Sequence, residues 1–144
     1  MKVDRFKVGD YAEIELGNGL GLEHWSLVGG IFPTLQMMEA SKTYCTVRKD
    51  GKIIMIGGYY EFAKGICEVS FYPSIHFLKD PLLGYRLLRK NVMSLAPRFR
   101  RLQIHCRKEE KFTEFAKRLG FKWEGIMEKF SYDGQDHVMM AIVR

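Results

Sequence analysis

The sequence is most restrictive in what it lacks. No apolar run approaches the length needed to span a bilayer, and the opening stretch MKVDRFKVGD carries no apolar signal-peptide core. Only three cysteines are present, Cys45, Cys67 and Cys106, odd in number, widely spaced and set in strand-like segments. That spacing fits neither a disulfide frame nor a metal set. It points to small buried thiols in a reducing compartment, with the cytoplasm as the expected location. Repeats, linkers and low-complexity segments are missing as well. What remains reads as one domain, residues 1–144, long enough to bury a core without covalent staples. A composition of 47% hydrophobic and 28% charged residues matches a globular chain.

The net charge of +6 is concentrated between Arg86 and Lys111, a stretch that also holds Arg89, Lys90, Arg98, Arg100, Arg101, Arg107 and Lys108. Arg86, Arg89 and Lys90 share one helical face, opposite Leu83, Leu87, Leu88, Val92 and Leu95. A solvated helix face and an anion-binding face both fit this pattern. No nucleic-acid motif with interleaved aromatics accompanies it, which leaves nucleic acid a minor option.

Along the chain, Val3 to Val8 reads as a strand, and Asp10-Tyr11-Ala12-Glu13 has the spacing of a capping box opening a short helix that Gly17 ends. The stretch NGLGLEHWSLVGG is glycine-rich yet carries Leu20, Leu22, Trp25, Leu27 and Val28, the composition of a lid or groove wall. Pro33 to Lys42 reads as a helix. Tyr44 to Arg48 and Ile53 to Glu61 form a hairpin, because Asp50-Gly51 supplies the positive φ of a tight turn. Gly57-Gly58 marks a bulge or a close backbone approach. Ile66 to Tyr72 is a third strand.

Strand Arg101 to Cys106 sets Leu102, Ile104 and Cys106 on one face, with Gln103 and His105 on the other. Glu109 to Leu119 is an amphipathic helix closed by Gly120. Trp123 to Tyr132 and His137 to Val143 pair about Asp133-Gly134, and the last strand, apolar on both faces, belongs inside the sheet.

The segment CEVSFYPSIHFLKDPLLGYRLLRK, from Cys67 to Lys90, runs strand, loop, then helix. Asp80 suits an N-cap and Pro81 the first helical position, ending before Ala96-Pro97. A strand feeding a helix N-terminus leaves backbone N–H groups aimed into a crevice, a ready place for phosphate.

In element order, in EFAKRLGFKWEG near the end and in this strand–loop–helix segment, the chain resembles the GNAT superfamily of acyl-CoA N-acyltransferases over nearly its whole length. The resemblance implies an α+β, three-layer fold: a mixed, mostly antiparallel, twisted sheet of about seven strands flanked by helices, with two central strands splayed. It implies acetyl-CoA as co-substrate and an amine of a protein or small molecule as acceptor. Lys79-Asp80-Pro81-Leu82-Leu83-Gly84 lines up with the family loop Q/R-x-x-G-x-G/A, whose backbone amides hold the CoA pyrophosphate. Lys79, Leu82, Leu83, Gly84, Tyr85 and Arg86 are therefore the expected CoA-binding residues. Backbone N–H groups around Phe71 and Tyr72 are expected to meet the thioester oxygen.

Glu68, a strand glutamate ahead of that loop, corresponds to the general base of the histone-acetylating branch, although an outward residue in a cross-strand ion pair reads the same way. His76 is the second candidate base. His24, His105 and His137 are scattered in sequence and carry no role by spacing.

Departures from the family pattern are equally concrete. Leu82 replaces a glycine, Pro81 has no N–H, and Glu109 and Ala116 stand where the family has Asn and Tyr. A second reading follows: a GNAT-fold structural or interaction protein without catalysis. FLK, a basic helix and EFAKRLGF are similar to a divergent branch encoded by tailed phages, some of them internal virion proteins, which would put the chain in a host cytoplasm or a virion. The acceptor and the oligomeric state, a homodimer included, are not encoded in any local pattern.

Overall fold

A computed structural model of the chain describes residues 1–17 and 30–144, so the stretch read as a lid and His24 lie outside the described residues. Seven strands follow the order β1-β2-β3-β4-β5-β7-β6. They are β1 (Lys2–Arg5), β2 (Tyr44–Lys49), β3 (Lys52–Ala63), β4 (Ile66–Pro73), β5 (Arg101–Arg107), β6 (Lys122–Met127) and β7 (His137–Val143). Pairing is antiparallel for β1 with β2, β2 with β3, β5 with β7 and β7 with β6, and parallel for β4 with β5. The sheet is mixed and mostly antiparallel, with helices between its strands in sequence, as the resemblance implied. The described residues divide into two compact units, Met1–Tyr60 with Ser70–Pro81 and Glu61–Val69 with Leu82–Arg144.

The first unit packs α1 (Val8–Glu13) and α2 (Phe32–Ser41) over a core of Phe6, Ile14, Leu35, Met38, Tyr44, Ile53 and Ile56. Its first helix begins earlier than the capping pattern suggests. Lys7 is the N-cap and Asp10 the third helical residue, where its carboxylate accepts the Lys7 N–H at 2.9 Å. Asp10 also accepts from the Thr46 hydroxyl at 2.7 Å and the Arg48 guanidinium at 3.0 Å, which ties the helix to β2. The acid that seemed to start the helix is instead the hub that fastens it.

The Asp50-Gly51 turn has φ values of 52° and 75°, as its dipeptide requires. Gly57 and Gly58 serve close approach, while the register shift in this ladder falls at Val47/Arg48. The Tyr44 ring lies against Gly58 and its hydroxyl reaches the Ser70 hydroxyl at 3.1 Å. A Cβ on Gly58 would stand 2.5 Å from Tyr44 Cγ and 2.6 Å from the Thr43 carbonyl oxygen. One of those neighbours is backbone and cannot swing away, so Gly58→Ala is expected to cost about 2 kcal/mol, read as a lower urea midpoint at unchanged m.

The connection after β4 is more ordered than its sequence suggests. Ile75–Lys79 forms a short helix, α3, capped by the buried Ser74 hydroxyl, which accepts the His76 and Phe77 N–H groups at 3.1 and 3.3 Å.

In the second unit, α4 (Pro81–Leu95) begins at the expected proline and continues into a 3-10 turn, Ala96–Arg98. It buries Gly84, Leu88 and Val92 and leaves Arg86, Arg89 and Lys90 exposed. Helix α5 (Glu110–Leu119) buries Thr113, Ala116 and Leu119 and ends at Gly120, whose φ of 108° explains the glycine. Phe112 and Phe115 are only half-buried, and Thr113 takes an inner position. Cys67, Leu102, Val138 and Met140 are fully buried on one face of β4, β5 and β7. Strand β7 lies between β5 and β6, as its apolar sequence demands.

The final hairpin is not tight. Strand β6 ends at Met127, and residues 128–136 form a closed loop in which Asp136 accepts the Lys129 N–H at 3.0 Å and Ser131 Oγ accepts the Gln135 N–H at 3.1 Å. Among the described residues no helix is long and apolar enough to cross a membrane.

Candidate active site

The parallel ladder between β4 and β5 holds Ile66, Cys67 and Glu68 opposite Arg101, Leu102 and Gln103. Alternation along each strand then puts Glu68, Gln103 and His105 on the face opposite the Cys67–Leu102 core. Antiparallel pairing of β5 with β7 sets His105 opposite Met139 and Arg107 opposite His137. The result is a polar patch on one sheet face, assembled from residues far apart in sequence.

At its centre the His105 Nε2 lies 3.1 Å from Glu68 Oε1, with side chains 25% and 32% exposed, accessible yet partly shielded. Phe130, from the 128–136 loop, meets the His105 ring edge-on at 5.2 Å between centroids. The His137 ring lies 5.6 Å from both His105 and Phe130. His137 is itself buried, and burial first, then the nearby His105 and Arg107, lower its pKa to about 4 against a weaker opposing pull from Asp133. It is therefore a neutral imidazole at pH 7. Arg107 is held by Asp133 at 3.2 Å and Glu109 at 3.6 Å. Beside it, Arg107, Lys108, Glu109, Gly134, Gln135 and Asp136 line a cavity of about 280 Å³.

Sequence reasoning named Glu68 and missed His105. Its face on β5 was legible from alternation, but its neighbour was not, because no local pattern reveals that β5 pairs with β4. Glu68 is cross-strand paired with His105 and half-exposed.

The other candidates lie as follows. Phe71 and Tyr72 are on β4; the Phe71 ring packs on Phe77 at 6.3 Å and Tyr72 meets Tyr11 edge-on at 6.4 Å. Their side chains are used in packing, so any contact with a thioester oxygen falls to the backbone. His76 sits in the first turn of α3, with Nε2 3.5 Å from Glu15 Oε1.

Lys79 ends α3, Asp80 follows as its C-cap, and Pro81 opens α4. The presumed phosphate loop is thus a helix-to-helix joint, with Lys79, Leu82 and Arg86 exposed and Gly84 buried in the first turn. The amide of Leu82, the second helical residue, has no carbonyl partner inside the helix, the geometry that favours an anion, whereas Gly84, the fourth, is the first whose N–H closes the intrahelical ladder. Asp80 opposes an anion there, but its carboxylate lies 4.0 Å from Lys49 Nζ. The Tyr85 hydroxyl donates to the Arg118 carbonyl at 3.2 Å and its ring meets Phe115 at 6.3 Å, so this side chain fastens α4 to α5.

Ala116 is buried and offers no proton donor. Cys45, Cys67 and Cys106 are free thiols; burial raises the pKa of Cys45 and pushes that of Cys106 up to about 11, which makes both poor nucleophiles at neutral pH. Among the described residues no group of three or more His, Cys, Asp or Glu side chains is arranged to hold a metal ion.

A seven-stranded mixed sheet with a parallel pair joining its fourth and fifth positions, followed by a helix that opens just beyond the fourth strand, is the GNAT acetyltransferase fold, and this chain has it. No family model matches the sequence, and no curated relative does. Solved structures do match. The ribosomal-protein-alanine N-acetyltransferase from Brucella melitensis is similar over 100% of both chains, with a TM-score of 0.72 at 12% identity. A GNAT-family acetyltransferase from Streptococcus pneumoniae matches 99% of this chain and 98% of its own at 0.70 and 22% identity. The ribosomal-protein-S5-alanine acetyltransferase from Vibrio fischeri matches 98% of this chain and 91% of its own at 0.68 and 19%.

Proposed function

We propose that this chain is an acyl-CoA-dependent N-acyltransferase that moves an acetyl group from acetyl-CoA to an amine of a protein or small molecule. The observation that carries the reading is the Glu68 carboxylate on the GNAT scaffold: strand-held, half-exposed and 3.1 Å from an imidazole. Amine acceptors arrive mostly protonated, since a lysine pKa is near 10.4, so a positioned carboxylate that takes the proton is the element the chemistry needs most.

In this reading the first turn of α4 receives the CoA pyrophosphate through its amides, with Lys79 and Arg86 adding positive charge. A backbone N–H at Phe71 or Tyr72 donates to the thioester oxygen as the tetrahedral centre forms. Sulfur departs as thiolate, which a thiol of pKa near 8.5 permits without an acid at the Ala116 position. Two of the structural neighbours carry names that specify a ribosomal-protein alanine, which makes a protein N-terminal amine the first acceptor class to screen. A cytoplasmic location goes with this reading, as the three free thiols suit a reducing compartment.

Ala116 and the proline-led joint are the features that favour a non-catalytic module instead. Acetyl-CoA titration by calorimetry and thermal shift separates the two. The enzyme reading expects saturable heat and a rise in Tm, equivalent to about 2.7 kcal/mol once ligand reaches a hundred times its Kd. No heat and no shift at about 1 mM acetyl-CoA, where Kd would have to exceed the millimolar range, would sink it.

A further inference from the structure

We propose that His105 is the positioning residue of the Glu68 base, donating its Nε2–H to Glu68 Oε1 so that the second carboxylate oxygen is presented to the acceptor amine. The inference rests on the acyl-transfer reading and deepens the same site. A carboxylate carries no hydrogen of its own, so an Nε2 at 3.1 Å from Oε1 assigns the proton to Nε2. The ring cannot swing freely about that contact. Phe130 bears on it edge-on at 5.2 Å, and His137 lies 5.6 Å away on the paired strand. The Glu68 side of the pair is held by the ladder, because Glu68 is the ladder residue opposite Gln103 and His105 lies two residues further along the same face of β5.

The charges around His105 favour this state. Facing it are Glu68 from β4, His137 from β7 and Phe130 from the 128–136 loop, while Arg107, two residues on along the same strand, is paired with Asp133 from that loop. Arg107 is compensated by Asp133 and Glu109, and His137 is neutral, so the Glu68 carboxylate is an anion that the imidazole meets directly. An ordinary exposed ion pair would be indifferent to such enclosure.

During transfer the amine nitrogen bonds to the acyl carbon, the carbon–sulfur bond breaks, and its electron pair leaves on sulfur. The amine proton passes to the second oxygen of Glu68 and then to solvent, while His105 keeps its own proton throughout. Its contribution is aim. Donation fixes the carboxylate rotamer.

The test compares His105→Leu, which removes the donor, with His105→Gln, which restores an N–H at similar reach. Steady-state kinetics across pH are expected to show kcat falling about 10- to 100-fold in the leucine variant, with KM for acetyl-CoA nearly unchanged. The glutamine variant is expected to recover most of that loss. A separate readout needs no turnover: in ¹⁵N NMR of the imidazoles, His105 is expected as the Nε2–H tautomer with a signal that shifts on Glu68→Gln.

An active enzyme whose kcat survives His105→Leu overturns the positioning role and leaves the acyl-transfer reading intact. So does a His105 signal insensitive to Glu68→Gln. Failure of the wild-type protein to bind acetyl-CoA overturns the acyl-transfer reading itself, and the positioning role with it.

Discussion

Glu68→Gln is expected to lower kcat by about 10²–10⁴, roughly 3–5 kcal/mol of transition-state stabilisation, while acetyl-CoA affinity stays within about twofold. The substitution is nearly isosteric, and its amide oxygen can still accept the Nε2–H of His105, so the patch keeps its shape. What disappears is the capacity to take a proton. In the proposed reading acetyl-CoA is held by the α4 first turn with Lys79 and Arg86 rather than by Glu68, hence the expected separation between kcat and affinity. Single-turnover acetylation with acetyl-CoA binding measured on the same preparation checks it. Unchanged turnover would remove Glu68 from the mechanism and shift the search to His76, whose ring already has the Glu15 carboxylate 3.5 Å away.

The proposed pair, a glutamate and a histidine from two strands, illustrates what the sequence could and could not reveal. Local chemistry was readable: Asp50-Gly51 makes its turn, Gly120 ends α5, and Pro81 opens α4, because each depends only on immediate backbone geometry. Short elements were harder. Ile75–Lys79 is too brief to show a helical period, and only the Ser74 cap and the buried Phe77 make it a helix. Asp10 misled for a related reason, since an acid near a helix start serves equally as N-cap or as third residue, and the choice was made by Thr46 and Arg48 on a distant strand. His105 belongs to the same class. Its partner is set by strand pairing, which alternation along one strand never specifies.

Asp10→Ala is expected to destabilise the protein by about 3 kcal/mol, because it leaves the buried Thr46 hydroxyl and the Lys7 N–H without their acceptor and strips Arg48 of one of its partners. Its pH signature identifies the cause. Burial alone would raise the Asp10 pKa, but the Lys7 N–H, the Thr46 hydroxyl and the Arg48 guanidinium together outweigh it and hold the value below the ordinary 3.8. Stability from this carboxylate is therefore fully present above that ordinary value and is lost as pH falls through the lower, folded one.

His137 acts in a different window. Its pKa of about 4 lies below the ordinary 6.5, so the unfolded chain binds a proton there before the folded one does. Stability from His137 is complete above pH 6.5 and declines toward pH 4, with a slope of at most about 1.4 kcal/mol per pH unit. Urea midpoints of the wild type should thus fall in two stages on acidification, the first from His137 and the second, below pH 3.8, from Asp10. Asp10→Ala should start lower at pH 7, keep the first stage and show a shallower second, since the lowered pKa values of Glu124 and Asp133 remain. A variant whose curve merely runs parallel to wild type through both windows would show that Asp10 holds α1 to β2 without being ionised, and the hydrogen-bonded hub would have to be redrawn around a neutral acid.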